Sequence, residues 1–423
     1  MRIEIICTGD EVLTGKITNT NFSWMSQKLE DVGLSVHWET TVGDDRDSLL
    51  TAFKLAADRA DAVIVNGGLG PTVDDLSQEI AAQAAGVGLV LHEEWLVRME
   101  EFFTRRGRTM PPNNKKQAML PEGSEFVDNP IGTACGFALD IGRARFFFTP
   151  GVPREMRRML EEQVIPRILA RAGSPTAIHL KRFHTYGLGE SHIDQILTGV
   201  EELDPTGGVK LGFRAHYPQI ETKLTVRGRD AADISAKLGP AMAEVKKRLG
   251  NFIFAEDDQT LEGVILAEMI RQEASLATVE TFTSGLIASR IGHLPNAEHV
   301  LRRGTVVRDF LELHPVLGLE QVHLADDMTD AAIEAVAQAA REKANTTHAL
   351  AVLIETDAGP DRFDWGGTVW IGIATAGRVE SRRSRILGGR EWVRLGAAEL
   401  AMDCLRRFLL GLPVVERIDF EKT

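Results

Sequence analysis

The segment Asn66-Gly67-Gly68-Leu69-Gly70-Pro71-Thr72-Val73-Asp74-Asp75 gathers the residue types that phosphate chemistry needs. Gly67, Gly68 and Gly70 lack Cβ atoms, so backbone N–H groups can approach an anion closely. Thr72 offers a hydroxyl. Asp74 and Asp75 are hard oxygen ligands suited to a divalent cation such as Mg²⁺. The apolar run 62–65 before the glycines reads as a buried strand, and 76–85 after them reads as a helix. Strand, glycine-rich turn and helix together aim donors at a phosphate. That is equipment for nucleotide or phosphoanhydride chemistry. The same residues also suit a tight βα turn in which Asp74 or Asp75 caps the helix.

Other polar groups collect at similar places. Gly9-Asp10-Glu11 ends the first apolar run and offers either a second acidic wall or a helix cap. Asn19 and Asn21 stand in Thr18-Asn19-Thr20-Asn21, a further candidate cap. Asn113-Asn114-Lys115-Lys116-Gln117 mixes amide and ammonium donors, suitable for phosphate or ribose or for a solvated loop. Histidines are scattered without a His-Glu-x-x-His spacing, and no glycine run ends in the Gly-Lys-Ser/Thr of a P-loop.

These residues need strands and helices to position them. Phe22, Met25, Leu29 and Val32 recur at helical spacing, and Gly33 stands where a helix end favours a left-handed residue. Strands are expected at 35–41 and 145–149, and helices around Leu49, Leu50 and Phe53, around Trp95, Met99, Phe102 and Phe103, and from Arg154 onward. Repeated β-α alternation predicts a largely parallel sheet covered on both faces, with ligands at the carboxyl ends of strands. A boundary is expected at 170–175. After it, Ile220, Thr222, Leu224 and Val226 alternate with polar residues, and Ile234 to Leu249 follows a helical period that Gly250 ends. This predicts a small α+β module. Strands return at 275–279, 349–354 and 368–373, closed by a helix over 391–410. The expected division is 1–172, 173–255 and 256–423.

Composition sets outer bounds. The 423 residues allow several domains, and 43% hydrophobic with 26% charged is ordinary for a globular chain. A net charge of −13 argues against a broad nucleic-acid surface, although Arg105-Arg106-Gly107-Arg108 is a local basic cluster. Cys7, Cys135 and Cys404 form no ligand spacing and no disulfide framework. That cysteine usage points to a reducing cytosol, and no apolar stretch nears the roughly 20 residues of a membrane span.

Taken together these residues resemble the CinA (competence/damage-inducible protein A) family over essentially the full length. The resemblance rests on Thr8-Gly9-Asp10-Glu11-Val12-Leu13, Asn19-Thr20-Asn21, Thr41-Val42-Gly43-Asp44 and Gly67-Gly68-Leu69-Gly70-Pro71-Thr72-x-Asp74-Asp75. It rests also on Asn113-Asn114-Lys115-Lys116-Gln117-Ala118, Asn129-Pro130-Ile131-Gly132-Thr133-Ala134 and Pro150-Gly151-Val152-Pro153. It implies an α/β chain. The first part is a three-layer domain of the molybdopterin-binding type, like MoaB and MogA. A small KH-type α+β linker and a deamidase-like α/β domain follow.

For the first domain the resemblance implies metal-dependent ADP-ribose pyrophosphatase activity. Asp74, Asp75 and Asp10 would be catalytic, with Asp74 and Asp10 holding the divalent ion, Mg²⁺ by preference. Gly67, Gly68, Gly70, Thr72, Asn19, Asn21, Asn114, Lys115 and Gly151 would contact the substrate. The expected assembly is a homodimer without membrane or nucleic-acid partners. The KH-type module carries Tyr186-Gly187-Leu188-Gly189-Glu190-Ser191 but no Gly-x-x-Gly clamp within 173–255, so RNA binding is not implied.

The third domain departs from the family pattern. The family's Glu-Ser-Cys-Thr-Gly-Gly, with serine as nucleophile, stands here as Glu280-Thr281-Phe282-Thr283-Ser284-Gly285. The family's Tyr-Ser-Asn-Glu-x-Lys becomes Arg308-Asp309-Phe310-Leu311-Glu312-Leu313, and its Thr-Gly-Ile-Ala-Gly-Pro-Gly loop becomes Glu355-Thr356-Asp357-Ala358-Gly359-Pro360-Asp361. An unactivated hydroxyl is a weak nucleophile. The expectation is therefore a non-catalytic deamidase-like domain with Thr281, Arg308 and Leu313 at the altered positions. The alternatives are a nucleotide- or molybdopterin-binding module without turnover, and a residual nicotinamide mononucleotide deamidase.

Overall fold

A computed structural model describes residues 1–173, 177–319 and 328–419. The chain forms two compact units, one from Met1–Leu180 with Arg227–Ile234, the other from Lys181–Val226 with Ser235–Thr423.

The first unit is built on a six-stranded sheet. Its strands are β1 (Ile3–Thr8), β2 (Val36–Val42), β3 (Ala62–Asn66), β6 (Glu125–Val127), β7 (Gly136–Ile141) and β8 (Ala144–Thr149), in the order β2-β1-β3-β8-β7-β6. A separate hairpin pairs β4 (Leu89–Leu91) with β5 (Met119–Pro121). β2, β1, β3 and β8 are parallel, while β7 and β6 are antiparallel. The expected parallel sheet is thus mixed, because the two-residue turn Gly142-Arg143 folds β7 straight back onto β8.

Alternation along the strands explains the layers. Ile3, Ile5, Ile64 and Phe147 face one way and pack with Met25 and Leu29 of the helix Thr20–Asp31 and Met156 and Met159 of Pro153–Met159. Ile6, Val63, Val65, Phe146 and Phe148 face the other way. They meet Leu49 and Phe53 of Arg46–Arg59, Ile80 of Ser77–Ala85, and Trp95 and Met99 of Glu93–Thr104. Both faces are buried, so the central strands read as continuous apolar runs.

The second unit holds two sheets. One has the order β10-β11-β9-β12, from β9 (Ala177–Tyr186), β10 (Val209–His216), β11 (Gln219–Gly228) and β12 (Ile253–Glu256). The helix Ala231–Leu249 follows β11, as its period predicts. The other sheet has the order β14-β13-β15-β16-β17, from β13 (Leu276–Glu280), β14 (Leu301–Val306), β15 (His348–Thr356), β16 (Gly366–Ala374) and β17 (Val379–Leu387). The helices Leu261–Arg271, Leu286–Gly292 and Arg390–Leu409 cover one face, and Leu313–Leu317 with Asp330–Ala344 the other. Among the described residues no helix is long and apolar enough to cross a membrane. All three cysteines are free and buried, and burial pushes the thiols of Cys7, Cys135 and Cys404 up to about 11, 12 and 12.

Candidate functional site

At the carboxyl ends of β1, β3 and β8 lies a cleft of about 530 Å³. Gly67, Gly68, Gly70, Thr72, Asp74, Asp75 and Gly151 all line it. Asp10, Asn19, Asn21, Asn114 and Lys115 are not in that lining.

The glycines have a structural reason to be there. Gly67 has φ +113°, and a Cβ on it would stand 2.5 Å from Thr8 Oγ1. A Cβ on Gly68, at φ +70°, would strike Ser77 Oγ, and one on Gly70 would strike the Asp75 carboxylate. The space these residues leave is therefore filled by the chain's own side chains. Ser77 Oγ donates to the Gly67 carbonyl at 2.9 Å and fixes the turn to the following helix.

The acidic groups divide by role. Asp75 Oδ2 accepts the Thr72 N–H and hydroxyl, so it closes the turn. It does not cap the helix, whose first residues receive no side-chain cap. Asp10 and Asp44 lock each other: each carboxylate accepts the other's backbone N–H at 3.2 Å. Asp74 is exposed at the rim. Burial raises the Asp44 carboxyl above its usual range, and the charges of Asp10, Glu11 and Asp74 add to the rise. Among the described residues no three His, Cys, Asp or Glu side chains come together to hold a metal ion. Asp74 and Asp10, the expected metal pair, belong to no such group.

The amides serve the scaffold. Asn19 caps its helix by accepting the Phe22 N–H at 3.0 Å. Asn21 Nδ2 donates to Asn66 Oδ1 and to the Gly151 carbonyl, tying the start of its helix to the ends of β3 and β8. Asn114 is buried and donates to Gln117 Oε1, while Lys115 is exposed. The neighbouring Lys116, not Lys115, reaches the glycine loop, donating to the Thr72 carbonyl at 3.0 Å.

Sequence reasoning passed over Thr8, Gln117, Thr133 and Glu155, which also line the cleft. Thr8 Oγ1 is buried and finds no hydrogen-bond partner among the described residues. Each of the first three stood inside a motif already singled out, but nothing in the spacing chose it over its neighbours. Glu11, Asp44, Asp74, Asp75 and Glu155 make the lining acidic, with no lysine or arginine among its described residues.

The second polar centre is at the end of β13. Glu280 is fully buried, and its carboxylate accepts the Thr283 hydroxyl and the N–H groups of Ile287 and Ala288. That carboxylate holds the N-terminus of Leu286–Gly292 from within. Thr281 is also buried. Its N–H reaches the Val352 carbonyl, and its Oγ1 accepts the Ile354 N–H at 3.1 Å, so the hydroxyl is held against β15. Phe282 packs against Trp365 with ring centroids 5.8 Å apart.

The altered positions have clear structural roles. Leu313 is fully buried with Leu317 and Ile333, where an ammonium would be costly. Arg308 is exposed, one residue beyond the Val307 N–H that bonds the Glu280 carbonyl. Asp357 accepts from Arg385 and from the Gly366 N–H, and Asp361 accepts the Arg390 N–H at the start of the last helix.

Comparison with known proteins decides the family. Residues 4–170 match the probable molybdopterin binding domain, 180–255 the damage-inducible protein CinA KH domain, and 258–409 the CinA C-terminal domain. A "CinA-like protein" of Shewanella sediminis is 40% identical over 420 residues, covering 98% of this chain and 97% of that one. The chain belongs to the CinA family. A CinA relative from Shewanella oneidensis, named nicotinamide-nucleotide amidohydrolase PncC, is 38% identical over 427 residues, covering 100% of this chain and 98% of that protein. The solved CinA protein of unknown function from Thermoplasma acidophilum is 32% identical, covering 39% of this chain and 96% of its own, with a TM-score of 0.36. That likeness is too partial to carry an argument.

These findings correct the expectation of an ADP-ribose pyrophosphatase with an inert third domain. A CinA relative matched from end to end is named for amidohydrolysis, and the CinA C-terminal domain is present.

Proposed function

We propose that this chain hydrolyses the carboxamide of a nicotinamide nucleotide, and that the reaction takes place on Thr281 at the carboxyl edge of β13. The observation that carries the reading is the 38% identity, over the whole chain, with the amidohydrolase PncC of Shewanella oneidensis. In support, Thr281 keeps a hydroxyl where the family motif has serine, at a strand end beside a helix N-terminus.

The chemistry balances with the residues at hand. Thr281 Oγ1 adds to the carboxamide carbon, and the C–N bond breaks. Ammonia leaves with the hydroxyl proton, and a nicotinoyl ester remains on Thr281. Water then cleaves that ester, giving nicotinate nucleotide and restoring the hydroxyl. Phe282 and Thr283 supply the backbone N–H groups next along the chain for the oxyanion, since those of Ile287 and Ala288 are already given to Glu280. Incubation of the full chain with nicotinamide mononucleotide, followed by ammonia and nicotinate mononucleotide assays, tests the reading. Both products should appear in equal amounts, and their absence would overturn it.

A second reading concerns the first domain alone. Its match to a probable molybdopterin binding domain, with a 530 Å³ cleft and the unsatisfied Thr8 hydroxyl, favours a pterin held without turnover. The N–H edge of a pterin would suit the carboxylates that line the cleft. Calorimetry with molybdopterin, followed by product analysis, tests this. Conversion of the ligand, or no heat of binding, would sink it.

A further inference from the structure

A buried polar chain runs through the second unit. Gln219, the first residue of β11, donates through Nε2 to Glu399 Oε1 at 2.5 Å. Glu399, on the helix Arg390–Leu409, is 1% exposed, and its other oxygen accepts Arg290 Nη1 at 2.6 Å. Arg290 gives its Nη2 to Glu262 Oε2 at 2.7 Å. Arg290 stands on Leu286–Gly292, the helix that follows the Thr281 turn.

Hydrogen bonds join that helix to the turn. The Ser284 N–H reaches the Thr281 carbonyl, the Leu286 N–H reaches the Thr283 carbonyl, and Glu280 takes the N–H groups of Ile287 and Ala288. The short helix thus has two anchors. Glu280 holds its start, and Arg290 ties its far end to Glu399, and through Glu399 to the β10–β11 hairpin. A partly buried ion pair of this kind adds little stability over an apolar replacement, but it fixes one arrangement of the groups around it.

The hairpin also docks independently. Tyr217 Oη donates to the Trp392 carbonyl at 3.1 Å and fits a notch at Gly396, where a Cβ would stand 2.5 Å from that hydroxyl. Docking and positioning therefore rest on different side chains of the same hairpin.

We infer that Gln219, Glu399 and Arg290 are positioning residues through which the KH-type hairpin sets the placement of the Thr281 turn. The inference rests on the reading of Thr281 as the reacting hydroxyl. A 1 Å displacement of a reacting group lowers the rate of the chemical step while leaving substrate affinity largely intact.

Two variants of the full chain test this. Gln219→Met removes the amide donor to Glu399 and keeps the shape of the hairpin. Tyr217→Phe removes the docking hydroxyl and keeps the Gln219, Glu399 and Arg290 side chains and the bonds between them. Ammonia release from nicotinamide mononucleotide should show kcat down about tenfold in Gln219→Met, with KM within twofold. Amide exchange in residues 286–292 should accelerate in that variant. Tyr217→Phe should keep kcat and exchange near the parent values. An unchanged kcat in Gln219→Met overturns the inference, as does an equal loss in both variants, which would mark a docking role. If Thr281→Ala retains full activity, the reading of the reacting centre fails instead, and the two failures are distinguishable.

Discussion

Asp75 Oδ2 accepts both the N–H and the hydroxyl of Thr72, at 2.8 and 2.5 Å. The carboxylate that looked like a metal ligand closes its own turn. Asp75→Ala should therefore lower stability by about 1 kcal/mol, the usual worth of such a local side-chain to backbone bond. The urea midpoint measures this, and ammonia release should stay at the parent level. An unshifted midpoint would show that the turn does not depend on the carboxylate.

Substitution at Thr281 separates hydroxyl chemistry from packing. Thr281→Ser keeps the oxygen and loses a methyl group, so ammonia release should persist within about tenfold. Thr281→Ala removes the nucleophile and should cost at least about a hundredfold. Comparable rates in both variants would point the chemistry elsewhere.

Arg290 offsets part of the cost of burying Glu399, whose carboxyl is still held above its usual range by burial. Arg290→Met leaves Glu399 without its cation and should destabilise the chain by about 3 to 5 kcal/mol. Replacing Glu399 by Leu in that background should recover part of the loss, because the buried carboxylate is then gone while Glu262 still lacks its cation. Chemical denaturation of the two variants decides the matter, and equal instability of single and double variants would contradict it.

Lys181 bridges Glu256 and Asp257, each at 2.6 Å. Burial opposes ionisation of both carboxyls, yet the hydrogen bonds from Lys181, with Lys246 on Glu256 and the Arg182 N–H on Asp257, hold them below their usual range. A depressed carboxyl contributes stability above its unfolded pKa and loses it as pH falls through the folded value. Lys181→Met should thus melt below the parent at pH 7, by up to about 1 kcal/mol, and the difference should shrink towards pH 3. Thermal melts at the two pH values check it, and a constant gap would contradict the linkage.

Much of the fold was legible where one face decided the period. The helix Thr20–Asp31 is marked by Phe22, Met25 and Leu29, and Arg46–Arg59 by Leu49 and Phe53. The strand β14 was not legible, because Arg302, Arg303 and Gly304 leave its edge exposed and without an apolar signature. Nor did the pattern disclose that β7 turns back on β8, since both are apolar on two faces.

The candidate sites were less legible for a different reason. Residue type says that Asp75, Asn19 and Asn21 carry oxygen or amide groups, but not whether a ligand or the chain's own backbone takes them. The structure gives Asp75 to Thr72 and Asn19 to Phe22. Pairs such as Arg290 and Glu399, 109 positions apart, leave no local pattern at all. Leu313 looked like the loss of an activating amine, and only its packing beside Leu317 and Ile333 shows what the leucine does there.

Burial of all three thiols has a practical outcome. With their ionisation moved to about 11 or 12, Cys7, Cys135 and Cys404 carry almost no thiolate at neutral pH and are shielded from reagents. The native chain should therefore serve as a background of unreactive thiols for site-directed labelling. A single cysteine introduced at the exposed Phe363 would take a maleimide selectively. A fluorophore placed there would report on motion near the Thr281 sheet in a protein whose own sulfur atoms need no removal.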